Sequence, residues 1–172
     1  PITGRADAGV EHADAEPIGG RQVILTPTER TLTVQLQRAE QVWTALGCRV
    51  TSMSPESHDE AFAAVSHLPH LLAFSLVNSI TSQTQADTFL SLAGPGFRDF
   101  TRIAASDPKM WRDVLLANRD ELLAQSKLFQ QALSQLENAI RTDDVQALED
   151  MLTLASETRA HWRMGAQRKK SP

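Results

Sequence analysis

Only one cysteine, Cys48, occurs in 172 residues. No internal disulfide can brace the fold, and such usage fits a reducing cytosol. An excess of one charge is lacking too. Lys and Arg number 17 against 21 Asp and Glu, a net charge of −4, so no global basic field recruits nucleic acid or an acidic membrane. No uninterrupted apolar run approaches the roughly 20 residues that a spanning helix needs. The polar, glycine-bearing first residues do not read as a secretory signal. A cytoplasmic protein that meets neither nucleic acid nor membrane is the expectation. Internal repeats, low-complexity tracts, cysteine clusters and an HExxH pattern are all missing. So is an initiator methionine: "PITGRADAGVEHADAEPIGG" begins as if midway through a longer chain, and a truncation is expected. What remains is 41% hydrophobic and 22% charged, enough for a core and too balanced for wholesale disorder.

The order of patterns divides the chain. Residues 1–21 are loop-like. "RQVILT" (21–26) reads as a buried strand stopped by Pro27. Thr28 is placed to cap a helix reaching Leu46, with Leu32, Leu36, Ala39 and Val42 on one face and Gly47 at its end. "CRVTSMS" (48–54) follows as a second strand. Strand, helix, strand is the order of an α/β unit, and two strands alone make no stable sheet. Residues 1–54 are therefore read as the tail of a larger α/β domain.

From Ser54 the pattern becomes helical throughout. Ser54-Pro55 is a cap followed by proline at the first helical position. The helix beyond it carries Phe62, Val65, Leu68, Leu72, Leu76 and Ile80, is apolar on more than one face, and is expected to be mostly buried. A short helix over 86–92, the "AGPGF" turn and a helix in "FRDFTRIAAS" come next. Asp107-Pro108 repeats the cap-then-proline device and opens a long helical stretch to about 142. Its apolar positions include Leu122, Phe129, Leu133, Leu136 and Ile140. Asp143 with Gln146 resembles a capping box before a last helix with Val145, Leu148, Leu152 and Ala155 on one stripe. The tail "QRKKSP" reads as a solvated end. Residues 55–172 thus read as an all-helical domain.

Two stretches could carry chemistry. In "SHLPHLLAF" (66–74), His67 and His70 are three apart and share a helix face. Pro69 lacks an N–H, leaves the carbonyl of Val65 without its helical donor, and bends the helix. Either each imidazole donates to a carbonyl in the core, or the kink turns both rings toward a cavity. A metal would need further ligands. His58, nine residues before His67 and read as roughly on its side, and Asp59 are the nearest, and nothing of a metal motif accompanies them. No metal is expected. In "GPGFRDFTRIAASDPKMWRD" (94–113), Arg98 and Arg102 are four apart after a glycine turn. Guanidinium groups there can grip a carboxylate with two parallel hydrogen bonds, or pair at the surface with Asp99, Asp107 or Asp113. Met110 and Trp111 read as core.

Taken together, "PITG", "GRQVILTPT", "MSPESHDEAFAAVSHLPHLLAFSL" and "GFRDFTRIAASDPKMWRD" resemble the prephenate and arogenate dehydrogenases of tyrosine biosynthesis over nearly the whole chain. The resemblance implies a mainly α fold, with an all-helical dimerisation domain (55–172) preceded by the α/β remnant of a dinucleotide-binding domain (1–54). It implies oxidative decarboxylation: hydride passes from the carbon bearing the ring hydroxyl to NAD or NADP, a histidine takes the hydroxyl proton, and the ring carboxylate leaves as CO₂. That histidine would fall just before Pro1, so no catalytic residue lies in this chain. No GxGxxG occurs, so the cofactor would be bound mainly by the missing N-terminal portion. By the same resemblance Arg102 grips a carboxylate of prephenate or arogenate, and His67 and His70 line the pocket. The chain is expected to form a homodimer and to be inactive alone. Arg5, where relatives often have a small hydroxyl residue, and Pro95, where a glycine is common, depart from the pattern. The alternative is a non-catalytic helical module that dimerises and senses tyrosine.

Overall fold

The computed structural model describes residues 19–163. "PITG", Arg5, most of the initial loop and "QRKKSP" lie outside them. The chain divides into two compact units at Gln125/Ser126.

The first unit opens with strand β1 (Gln22–Leu25), helix α1 (Thr33–Ala45) and strand β2 (Arg49–Ser52). The strands pair in parallel, with Val23 opposite Val50 and Leu25 opposite Ser52. Parallel neighbours need a crossover, which α1 supplies. Val23 is 1% exposed and anchors this layer; burying such a side chain contributes roughly 1.5–3 kcal/mol. Gly47 ends α1 at φ +79, a left-handed conformation that costs glycine nothing, and its carbonyl accepts from Gly20 N–H at 2.7 Å. Thr28 is not the cap. It closes a turn with Thr31, whose Oγ1 accepts from its N–H at 3.0 Å, and the helix starts later, where Gln35 Oε1 accepts from Leu32 N–H at 3.3 Å.

A long helix follows in three parts: α2 (Pro55–Phe62), a π-turn (Ala63–His67) and α3 (Leu68–Thr81). Ser54 caps it as its sequence predicts, Oγ accepting from Ser57 N–H at 3.1 Å. The anticipated bend is a widened turn: Leu68 N–H reaches back five residues to the carbonyl of Ala63. Pro69 explains why. It offers no N–H to its own preceding turn, so a turn holding one extra residue loses less there than elsewhere.

Burial of this helix differs from the expectation. Within it only Ala63 and Ala73 are buried, and Val65 is 74% exposed, because the described residues supply no cover for its other faces. The reading from uninterrupted runs also needs correction. Pro55–Thr81 is 27 residues long with a mean hydropathy of 1.3 over its most apolar stretch, enough by length and composition to cross a membrane. Such a test is passed equally by core helices, and here α3 packs against its chain neighbours α4 (Ala86–Ser91), α5 (Pro95–Thr101) and a 3₁₀ turn (Arg102–Ala105).

Helix α6 (Pro108–Ala117) begins as predicted, Asp107 Oδ1 accepting from Met110 N–H at 2.7 Å. The single stretch expected to reach 142 is two helices. Asn118 leaves the helical region (φ −113, ψ 38), and α7 (Arg119–Arg141) starts anew. An asparagine whose side chain bonds elsewhere readily interrupts a helix.

In the second unit, α7 ends and α8 (Val145–His161) begins. The turn between them puts Asp143 at φ +52, and the cap is Asp144, not Asp143: its Oδ1 accepts from Ala147 N–H at 3.1 Å. Ala139 is buried and Phe129, Leu136 and Leu148 are half-buried, but Leu133, Ile140, Val145 and Leu152 are exposed, so both predicted apolar stripes are only partly covered here.

Candidate functional site

The site grows from four local devices in the first unit. The π-turn and Pro69 set the pitch of the helix where His67 and His70 stand. The 3₁₀ turn, packed on α3, carries Arg102. Helix α6 brings Trp111, 8% exposed, against both histidines. Asn118 closes the group from the helix break.

His70 lies face to face with Trp111, ring centroids 3.4 Å apart and planes 18° from parallel. His67 meets the same indole edge-on at 6.3 Å and 75°. Trp111 is core, as expected, and it is also the platform under His70. The Nδ1–H of His70 donates to the carbonyl of Ser66 at 2.9 Å. The core reading of the imidazoles thus holds for one nitrogen of one ring. His67 behaves differently: its Nδ1 accepts from Asn118 Nδ2–H at 3.2 Å, and the same Asn118 nitrogen donates to the carbonyl of Asp59 at 2.8 Å. Asn118 is the residue that sequence reasoning missed. Its only signal was an asparagine inside an otherwise helical pattern.

Burial holds both histidines below the usual imidazole range. For His67 the positive potential of His58 adds to this, Asp59 opposes it and His70 adds a little more. For His70 the Ser66 hydrogen bond opposes the shift, and the charge of Arg102 reinforces it. Arg102 stands on the 3₁₀ turn that packs against α3, the helix that carries His70. The two arginines of the glycine turn have separate fates. Arg98 pairs with Asp99 at 2.9 Å, as the surface alternative has it. Arg102, exposed, has no ion pair among the described residues, and its guanidinium is available to an anion. Near neutral pH both imidazoles are uncharged, so the positive charge of this group is that of Arg102.

His58 is not part of the cluster. Nine residues make two and a half turns, which in a regular helix puts His58 opposite His67 rather than beside it. The wide turn removes part of that offset, but His58 bonds Asp59 Oδ1 at 2.9 Å and stacks on Phe62 at 4.4 Å. The connection from β1 to α1 holds Pro27 and no glycine, so its backbone offers no close cradle for a pyrophosphate.

The family described as "Prephenate dehydrogenase, dimerization domain" matches residues 54–154. That span holds every member of the cluster. The chain belongs to the prephenate dehydrogenase family. A cyclohexadienyl dehydrogenase of Zymomonas mobilis is 33% identical over 146 residues, 84% of this chain and 50% of that protein. The crystal structure of prephenate dehydrogenase from A. aeolicus in complex with hydroxyphenyl propionate and NAD⁺ superposes with a TM-score of 0.86 and 40% identity, over 93% of this chain and 56% of that one. Arogenate dehydrogenase of Synechocystis gives a TM-score of 0.81 at 29% identity, over 93% and 59%. The chain spans about half the length of the relatives it matches, and its fold is theirs: a mainly helical structure preceded by an α/β segment.

Proposed function

We propose that this chain is the substrate-binding and dimerising portion of a dehydrogenase that oxidatively decarboxylates prephenate or arogenate with NAD or NADP. One observation carries the reading: Arg102, without an ion pair among the described residues, stands on the 3₁₀ turn packed against α3, which carries His70 stacked on Trp111, inside the segment that matches the family. The anionic ligand of the A. aeolicus structure, a hydroxyaryl carboxylate, has the chemistry this group suits. Arg102 binds a substrate carboxylate through two parallel hydrogen bonds. His70 and His67 line the ring. Proton removal from the substrate hydroxyl and the nicotinamide both belong to residues outside those described, so nothing here performs the redox step.

In this reading residues 1–54 complete a dinucleotide-binding domain and 55–172 bind substrate and dimerise. The family match beginning at Ser54 supports that cut, whereas the contact division falls elsewhere, at Gln125/Ser126. The outward apolar faces of the long helix and of α7 and α8 fit cover by a second copy. Cysteine usage and net charge support a cytoplasmic enzyme with no nucleic-acid partner.

The test is steady-state NAD(P)H formation from prephenate and from arogenate by this chain joined to a glycine-rich dinucleotide domain, and by the chain alone. Activity is expected of the first and none of the second. Arg102→Ala in the joined protein should raise KM by roughly 10- to 150-fold, since a hydrogen bond to a charged group is worth about 1.5–3 kcal/mol. An unchanged KM removes Arg102 from the site.

A further inference from the structure

We propose that Asn118 is a positioning residue that fixes the proton of His67, so that His67 and His70 stand in opposite tautomers and present unlike Nε2 atoms to a ligand. Only the identity of the ligand rests on the function proposed above. The orientation of Asn118 follows from its neighbour: an amide oxygen 2.8 Å from the carbonyl of Asp59 would be repelled, so the nitrogen faces it. That nitrogen has two hydrogens and no lone pair to offer. The second hydrogen goes to His67 Nδ1 at 3.2 Å, which must then be the unprotonated nitrogen. Neutral His67 consequently carries its proton on Nε2.

His70 is set the other way. A carbonyl can only accept, so His70 Nδ1, 2.9 Å from Ser66 O, carries the hydrogen and Nε2 keeps its lone pair. Neither Nε2 has a hydrogen-bond partner among the described residues. The pair therefore offers one donor, from His67, and one acceptor, from His70, with Arg102 on the turn packed against the helix of His70. A ligand satisfies all three when it joins an anionic or carbonyl oxygen to a hydroxyl or ammonium donor. A bare dianion does not, because it leaves the His70 lone pair facing negative charge unless that ring takes a proton, which burial and Arg102 oppose. The charged and titratable groups acting on the two rings are His58, Asp59 and Arg102, together with each other.

The experiment is long-range ¹H–¹⁵N correlation spectroscopy of the ¹⁵N-histidine-labelled chain above pH 7. His67 and His70 are assigned by single His→Gln variants. It needs neither ligand nor turnover, so its outcome is separate from whether the protein serves a dehydrogenase. The expected spectrum shows His67 as the Nε2–H form and His70 as the Nδ1–H form. In Asn118→Asp a carboxylate oxygen turns off the Asp59 carbonyl, which repels it, and accepts from His67 Nδ1, so His67 should move to the Nδ1–H form and titrate at higher pH, while His70 keeps its tautomer. Finding the same tautomer at both rings in the parent chain, or an unmoved His67 in Asn118→Asp, overturns the proposal. The parent spectrum decides the first point even where a variant folds poorly.

Discussion

Replacing Trp111 by alanine tests the physical core of the site without any assumption about substrate. The indole is 8% exposed and stacked at 3.4 Å on His70, so its loss removes buried apolar surface, leaves a cavity and deletes an aromatic pair. Truncation of a buried Trp or Phe to Ala costs about 3–5 kcal/mol, of which a stacked pair makes up about 0.5–1.5 kcal/mol. A stability of about 5–15 kcal/mol is usual for a domain, so Trp111→Ala should consume about a fifth of it or more. The assay is urea unfolding followed by far-ultraviolet circular dichroism, because Trp43 and Trp162 would confuse a fluorescence signal. Protein concentration is held constant, since any self-association adds to apparent stability. A second readout is local. With the indole gone, water reaches His70 and its pKa should rise toward the ordinary imidazole value. Trp111→Phe should recover much of both effects. A destabilisation under about 1 kcal/mol with an unmoved His70 titration refutes the view that Trp111 supports the site.

Acidification gives a further prediction. Burial lowers both His67 and His70, so between their folded values and the ordinary value of about 6.5 the unfolded chain binds more protons. The stability they contribute is complete above that value and is lost as pH falls through the folded pKa values. Urea midpoints measured from pH 7.5 to 5 should fall on acidification, and less steeply in His67→Gln/His70→Gln; an equal slope in both proteins refutes this. Self-association is testable at Leu152, 55% exposed on α8. Leu152→Glu should leave monomer stability within about 0.5 kcal/mol but weaken dimerisation at least tenfold by sedimentation equilibrium, about 1.4 kcal/mol. An unchanged dimer constant takes that face out of the interface.

Much of the site was legible before any coordinates because its signals are local. Pro69 between two histidines announces a disturbed helix whatever surrounds it, and the disturbance is the π-turn at Ala63–His67. Ser54 and Asp107 before prolines mark helix starts because a side-chain oxygen and a missing N–H act within one turn. Periodicity was less reliable where tertiary contacts compete. It carried one helix across Asn118, because it registers apolar spacing and is blind to an amide that bonds 59 residues away.

The sequence by itself settled the strand-helix-strand opening, the helical remainder and the candidacy of Arg102, His67 and His70, since these depend on residue type and spacing along one chain. Only the tertiary structure decided which arginine is spent on a neighbouring carboxylate and which stays available. It alone put Trp111 under His70, and it alone gave Asn118 a hold on His67. The last two are contacts between distant segments, and a hydrogen bond or a stacked ring acts through space at a few ångströms, where order along the chain carries almost no information.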